Sequence, residues 1–552
     1  MKRTVLTLTF AALTAAVGAQ QFLVINTHDG QTVIPAADIE RITYEQDADF
    51  HARLLPRALA SDPRTQLFAE ALQVTGLADS LLAYVDTTYP VLTQRERFFS
   101  LFSGNPWDLN ELQEVRRISF TAFVETDDVL AAHGIASLSD LSAYAHRVYD
   151  EVFPEDAAVA DPTDRRHALN RFVAYHLLDR GSTYDLLTAN PGFFDRTLAD
   201  VADWYQTMLP QGTLKVARPD GSEEGLYLNR RGVQERADKY GVKVRGARII
   251  AAPDGQLTQV VSNGAYYYLD DLIAFDRQTR DVVLNERWRI DFTALSPDLM
   301  TSGLRNQTWA TRRDDDGFDV VVTPAFLGDR LKGFRFRDDS VPCVTMENYH
   351  NYYWCLGGQE VHVHATSMSE GRYDLTVDLP TPPAGDYELR FGITSIYNLC
   401  KGLFHVNGVQ LGDTVTLASD QLEVTWNALG WQWGLPRDEQ LAADRQLRQN
   451  GWLRGPREWR CCSLGQNSWL EVATEENSRP LSDCVGCVRR ILGRFHADGR
   501  TPLRLRIQSI PYTTPVTEQN KYPESHNKAI TLDYIELCPT WIADNEEVPE
   551  DL

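Results

Sequence analysis

Between Phe318 and Leu537 the chain returns repeatedly to a two-residue period, with apolar and polar side chains alternating over short runs broken by turn residues. Tyr373-Asp374-Leu375-Thr376-Val377-Asp378-Leu379 carries the pattern most plainly, and Phe318–Thr323, Val361–Ala365, Asp386–Ile393, Leu403–Val406 and Leu503–Ile507 repeat it. A period of two sends one set of side chains to a single face of an extended chain, so each run must bury that face against another layer. Asn407-Gly408, between Leu403–Val406 and the run Val409–Leu417, has the composition of a tight hairpin turn. Many short strands joined by turns predict an antiparallel β-sandwich over residues 318–552. The pattern lapses after Gln421–Trp426, resumes at Leu503, and ends in Ile530–Leu537, which reads as one strand.

The first half has a different period. Leu67, Phe68, Ala71 and Leu72 stand at helical spacing, as do Leu77, Leu81 and Leu82 after Gly76, so two helices or one kinked helix are predicted. Leu141, Tyr144, Ala145, Val148, Tyr149 and Val152 keep a three-four spacing, and Ser137 to Asp140 has the spacing of a capping box before them. Three further segments stand out. Ile118 to Leu130 contains Thr121, Phe123, Thr126 and Asp127. Leu169 to Leu178 contains Tyr175-His176, and Asn263 to Ile273 contains Asn263-Gly264 and Asp270.

In this order the three segments resemble the opening, tyrosine-histidine and closing boxes of fasciclin-like domains of the bacterial secreted or surface type. The resemblance implies an α+β domain over about residues 51–277. Two departures accompany it: Val124-Glu125 follows Phe123 where relatives commonly have alanine-proline, and Tyr266 to Tyr268 replace the usual valine, isoleucine and histidine. Extra sequence lies at 150–165 and 181–248, where insertions generally become surface loops or added elements. The final run, Ile530–Leu537, resembles the last strand of galactose-binding-like jelly rolls, which implies that topology for the sandwich.

Lys2 and Arg3 precede an uncharged stretch from Val5 to Val17, and Val17-Gly18-Ala19 presents small residues to a signal peptidase, so residues 1–19 are expected to be a leader cleaved before Gln20. No apolar run reaches the ~20 residues that cross a bilayer. The chain is therefore expected to be exported without a membrane span, to the extracellular space, cell surface or periplasm. Residues 20–50 read as a β-hairpin about His28-Asp29-Gly30. Lysine and arginine total 54 against 77 acidic residues, a net charge of −23 that argues against nucleic acid as a partner. Composition, 43% hydrophobic and 24% charged, is that of a folded protein.

All eight cysteines fall between Cys343 and Cys538. Export admits disulfides, but eight cysteines allow on the order of a hundred pairings. Cys461, Cys462, Cys484 and Cys487 could supply zinc, yet adjacent cysteines rarely reach one tetrahedral ion. His362 and His364 share a strand face but lack a visible third ligand, and Asp314 to Asp319 clusters carboxylates without a complete calcium-loop spacing. No metal or cofactor is expected.

The aromatic residues point to binding. Half of the twelve tryptophans lie between Trp426 and Trp469, and Tyr352, Tyr353 and Trp354 form a second group. Trp431 and Trp433, bracketed by Gly430 and Gly434, together with Trp452 and Trp459, have the flat apolar faces on which sugar rings stack; core packing accounts for the same residues. Serine-elbow, phosphate-loop, HExxH and dinucleotide motifs are absent. The expectation is a multidomain, non-enzymatic binding or adhesion protein: a fasciclin-like α+β domain, a connecting segment at 278–317 that contains a strand near Trp288, and a jelly-roll-like sandwich, with a glycan or a cell-surface or matrix protein as partner. Two alternatives stand beside it, a polysaccharide-acting enzyme with the sandwich as accessory module and a non-catalytic structural surface component.

Overall fold

In the computed structural model the described residues are 7–9, 22–27, 30–35, 48–93, 98–99, 108–188, 196–197, 201–219, 224–232, 241–303, 305, 310–313, 319–337, 343–348, 359–364, 374–393, 401–416, 436–456, 459–462, 478–480, 488–510, 529–546, 548 and 550. The chain is a β-rich, multidomain α+β protein that divides into two compact units, residues 1–52 and 53–552. The first unit holds the expected hairpin, Phe22–Thr27 antiparallel to Gly30–Pro35 with Thr27 opposite Gly30. A third strand, Thr7–Thr9, lies inside the expected leader and pairs with Phe22–Thr27.

Among the described residues of the second unit, six helices accompany an eight-stranded sheet. Thr126 caps the helix Asp127–Ala132, its side chain accepting from the Val129 amide. Ser137 does the same for Leu138–Val152 by accepting from Asp140, and that helix buries Leu141, Ala145, Tyr149 and Val152 along one stripe. Gly76, with φ of +69°, separates Gln66–Val74 from Leu77–Ser80, so the predicted pair of helices is present as two. The helix Ala168–Tyr175 is buried on every side. At the heart of the sheet, Phe120–Glu125 runs parallel to Gly264–Leu269, from Phe120 opposite Gly264 to Glu125 opposite Leu269. Antiparallel strands continue outward through Ala247–Ile250, Tyr227–Leu228 and Thr213–Arg218 to Val201–Gln206 at the edge.

Beyond residue 318 the described strands pair antiparallel with one another. One sheet runs Phe334–Phe336, Asp374–Leu379, Leu503–Ile510, Lys401–Val406 and Val409–Gln410; its period of two is real, with Leu375, Val377, Leu379, Leu503, Leu505 and Ile507 all buried. A second runs Trp288–Asp291, Tyr534–Pro539, Gly385–Ile393, Val488–Ala497 and Trp452–Arg454. Phe391 of the second sheet meets Phe404 of the first, ring centroids 6.0 Å apart. Within the connecting segment, the described strand Trp288–Asp291 is packed rather than loose, since Trp288 and Ile290 are fully buried in the common core. Sheet pairing also crosses the two sequence halves: Asp108–Leu112 runs parallel to Asp319–Leu327.

Three elements differ from their sequence patterns. The run Ile530–Leu537 is two strands, Ala529–Leu532 and Tyr534–Pro539, which enter different sheets on either side of Asp533. The Asp533 carbonyl accepts the Phe292 amide at 3.0 Å at this change of sheet. Val409–Leu417 is interrupted near Gly412, whose φ is +56°. The stretch that looked irregular contains the helix Arg437–Gln449 and the strands Trp452–Arg454, Trp459–Cys462, Ser478–Pro480 and Val488–Ala497.

Buried ion pairs explain why this last stretch escaped the hydrophobic period. Asp444, on the inner face of the helix, accepts from Arg454 Nε at 2.5 Å and Nη2 at 2.7 Å. Arg489, with no exposed surface, donates to both oxygens of Glu536, which also accepts from Arg289 (2.8 Å) and Arg390 (2.7 Å). Burial alone would push the Glu536 carboxyl up, but Arg489, Arg289, Arg390 and Arg287 outweigh it and hold the group well below its ordinary range. Charged side chains occupy inward positions that a hydrophobic pattern assigns to the surface.

Candidate functional site

A cleft of about 590 Å³ opens where the helix-bearing sheet meets the later strands. One wall comes from the exit of the helix Ala168–Tyr175 and the turn after Leu177–Leu178, which supplies Asp179 and Arg180. A second comes from the edge strand Val201–Gln206 and the loop that follows it. The far side is built from Leu295 and Pro297, from Lys332-Gly333, from the end of Asp374–Leu379, and from Pro502 and Arg504.

Local chemistry fixes these pieces. Thr207 Oγ1 donates to the Gly212 carbonyl at 2.7 Å and accepts from the Leu209 amide at 3.2 Å, which closes the loop containing Pro210. The Thr381 amide donates to Gln206 Oε1 (3.1 Å), and Thr213 Oγ1 donates to the Thr381 carbonyl (2.8 Å), clamping the two walls together. Gly333 adopts φ of +85°, and a Cβ there would stand 3.1 Å from the Leu295 carbonyl, so glycine permits both the turn and the close approach.

The cleft has an apolar interior and a charged mouth. Trp204 is buried and stacks on Trp288, centroids 5.7 Å apart. Leu209, Leu295, Leu379 and several prolines continue that surface. Asp179 pairs with Lys332 (3.0 Å) and Arg180 (3.3 Å). Burial pushes the Asp179 carboxyl up, but the two cations overcome it and leave the group below its usual range. Asp378 is held by the Arg335 guanidinium through two nitrogens at 2.7 and 2.5 Å. Arg180 is buried, donates to the Ala294 carbonyl, and has no acceptor for its Nε among the described residues.

Among the motif residues, Thr121 braces one wall of this cleft and the others hold elements of the fold together. Thr121 Oγ1 donates to the Arg180 carbonyl at 2.7 Å and accepts from the Ser182 amide at 3.1 Å, fixing the turn that presents Asp179 and Arg180. Phe123 stacks on Tyr267. Asp127 accepts from the Gln66 and Leu67 amides (3.2 and 3.0 Å) at the start of the helix Gln66–Val74. Tyr175 Oη reaches Asn229 Oδ1 at 3.1 Å, and His176 is buried between the Phe172 carbonyl (2.7 Å) and Glu125 (2.9 Å). Asn263 accepts from the Leu55 amide and donates to the Leu81 and Ala83 carbonyls. Gly264 faces the Phe120 backbone, and Asp270 accepts from the Arg248 amide at 2.7 Å.

Of the aromatic residues singled out for glycan contact, Trp452 is described with its side chain and is not among those lining the cleft. Trp452 is 6% exposed, with the Arg490 guanidinium 4.9 Å from its ring centre. Trp459 begins a strand that pairs with Arg196–Thr197. Tyr352, Tyr353, Trp354, Trp431 and Trp433 lie outside the described residues, as do the central aspartates of Asp314–Asp316. His362 and His364 belong to the strand Gln359–His364, and no metal-holding group of three His, Cys, Asp or Glu side chains occurs among the described residues. Cys538 is a buried free thiol. No described helix is long and apolar enough to cross a membrane.

Sequence reasoning missed the residues that line the cleft. Arg180, Trp204, Lys332 and Arg504 belong to no motif and come together only through tertiary packing. No family model matches the chain, and no curated protein matches it. Among solved structures, a Paenibacillus xanthan lyase is similar at 11% identity with a TM-score of 0.17, over 38% of this chain and 13% of that one. A likeness of that size carries no argument about fold or activity.

Proposed function

We propose that this chain is an exported binding or adhesion protein, built from a fasciclin-like portion and a jelly-roll-like sandwich, that takes a glycan or surface-protein ligand in the cleft where the two portions meet. The cleft carries the reading: its volume of about 590 Å³ falls in the roughly 300–1,000 Å³ range of ligand pockets, and an apolar interior with a few fixed polar groups is the usual construction of such sites. Parallel pairing of the opening and closing boxes, with Thr126 capping the helix after the first, supports the fasciclin-like portion. The contact of Phe391 and Phe404 between two antiparallel sheets supports the sandwich. Lys332 and Arg180 hold the Asp179 carboxyl below its usual range, which suits a fixed charged group that orients a ligand.

The test is a screen of the exported full-length chain against a glycan array and matrix proteins, followed by Arg504→Ala, Trp431→Ala and Trp433→Ala for each ligand found. Arg504→Ala should weaken binding at least fivefold at unchanged melting temperature. Binding that is lost only in the tryptophan variants would move the site to the aromatic segment, and an empty screen would defeat the binding role.

A further inference from the structure

The charge of the cleft runs against that of the molecule. The whole chain carries −23, yet the described charged residues lining the cleft are Arg165, Arg180, Lys332 and Arg504 against Asp179 and Asp378. Both carboxylates are already engaged, Asp179 by Lys332 and Arg180 and Asp378 by Arg335 from just outside the lining. Arg165 and Arg504 are left as the cations whose charge is least compensated: Arg165 makes one long contact to Asn170 Oδ1 (3.4 Å), and Arg504 Nε stands 3.7 Å from Asp378. Both are exposed at the mouth, Arg504 by 64% of its side chain. Screening over about 10 Å at 0.1 M salt hides the remote acidic surface from a ligand in the cleft, whereas these nearby guanidinium groups act on it directly. A concave site with low-dielectric walls and one excess sign of charge focuses the field on a ligand of the opposite sign.

We propose that the cleft selects an acidic oligosaccharide, one whose sugar rings carry carboxylates, an inference that rests on the cleft being the binding site. A planar guanidinium matches a carboxylate with two parallel hydrogen bonds, and arginine at the mouth supplies that geometry. The interior suits the rest of such a ring. Pro210, Pro297, Pro380 and Pro502 present stiff apolar surfaces beside Leu295 and Leu379, and a uronate offers a C–H face and a carboxylate on one rigid frame. Stiff surfaces meeting a stiff ring lose little conformational freedom on binding. An acidic peptide brings its carboxylates on flexible stems and presents little apolar face, so it satisfies the cations but leaves the prolines and leucines uncovered.

The experiment uses the full chain on an array of uronate-bearing oligosaccharides, each printed beside its carboxyl-reduced neutral counterpart, with a penta-aspartate peptide included. The acidic members should bind at least tenfold more tightly than their reduced partners at 50 mM salt, with the gap narrowing as salt rises. Arg165→Gln and Arg504→Gln should each weaken acidic binding about five- to tenfold and leave melting unchanged; Asp378→Asn should strengthen it. Equal binding of acidic and reduced sugars would overturn the selectivity while leaving the cleft as the site. Binding of the peptide without the sugars would overturn the saccharide assignment, and acidic binding that ignores both arginine variants would overturn the role of the cleft mouth. An array on which nothing binds would overturn the glycan-binding reading itself.

Discussion

At the scale of single residues, the three motif segments supply joints of the fold. Asn263 bonds three backbone groups from two earlier helical segments, His176 sits between a carbonyl and Glu125, and Thr121 holds the turn behind the cleft. Gly264 is the strictest of them. Its φ is +144°, and a Cβ built there would fall 1.8 Å from the Phe120 carbonyl oxygen. Because that atom is backbone in the paired strand, no rotamer relieves the clash. Gly264→Ala should therefore cost at least ~2 kcal/mol, the scale of a strained backbone site, read as a lower urea midpoint. An unchanged midpoint would mean that the two box strands are not packed in this register.

At the scale of elements, the sheet containing Tyr534–Pro539 is organised around a buried carboxylate. Glu536 accepts from arginines on three strands, namely Arg289, Arg390 and Arg489. Removing one partner from such a cluster leaves charge unpaired in the interior, so Glu536→Gln should destabilise the protein by about 3–5 kcal/mol. The sign of its pH dependence follows from its lowered folded-state pKa. The stabilisation is present above the ordinary glutamate value of 4.5 and is lost as pH falls below it toward the folded value. Denaturant midpoints recorded downward from neutral pH should fall in the parent protein and fall less steeply in Glu536→Gln; matching slopes would remove Glu536 from the acid response. The neighbouring helix Arg437–Gln449 shows the same design on a smaller scale, since Asp444 faces inward only because Arg454 meets it there.

At the scale of the whole molecule, the sequence halves share sheets. Asp108–Leu112 pairs with Asp319–Leu327, and Trp288–Asp291 pairs with Tyr534–Leu537. Residues 53–552 form one compact unit. A chain limited to 53–552 should fold with one cooperative transition, whereas chains ending at 303 or beginning at 310 should each expose unpaired strand edges and buried apolar surface, and should aggregate or stay unfolded. Circular dichroism and size-exclusion chromatography of the three chains decide this; two well-folded halves would restore a boundary between about 277 and 318, after the third motif segment and before the alternating strands. Local order in the chain was sufficient for much of this architecture. The alternation through Tyr373–Leu379, the glycine turn at Asn407-Gly408 and the cap at Ser137 each dictate nearby backbone geometry, and their elements stand where those signals put them. Tertiary structure decided the rest. A period in hydrophobicity cannot register Arg489 or Asp444 as interior residues, because their burial depends on partners 47 and 10 positions away along the chain. It cannot reveal that Asp533 divides one run between two sheets, nor that Arg180, Lys332 and Arg504 would meet around a cleft. Those outcomes follow from long-range Coulombic and packing energies, which exist only once the chain has folded.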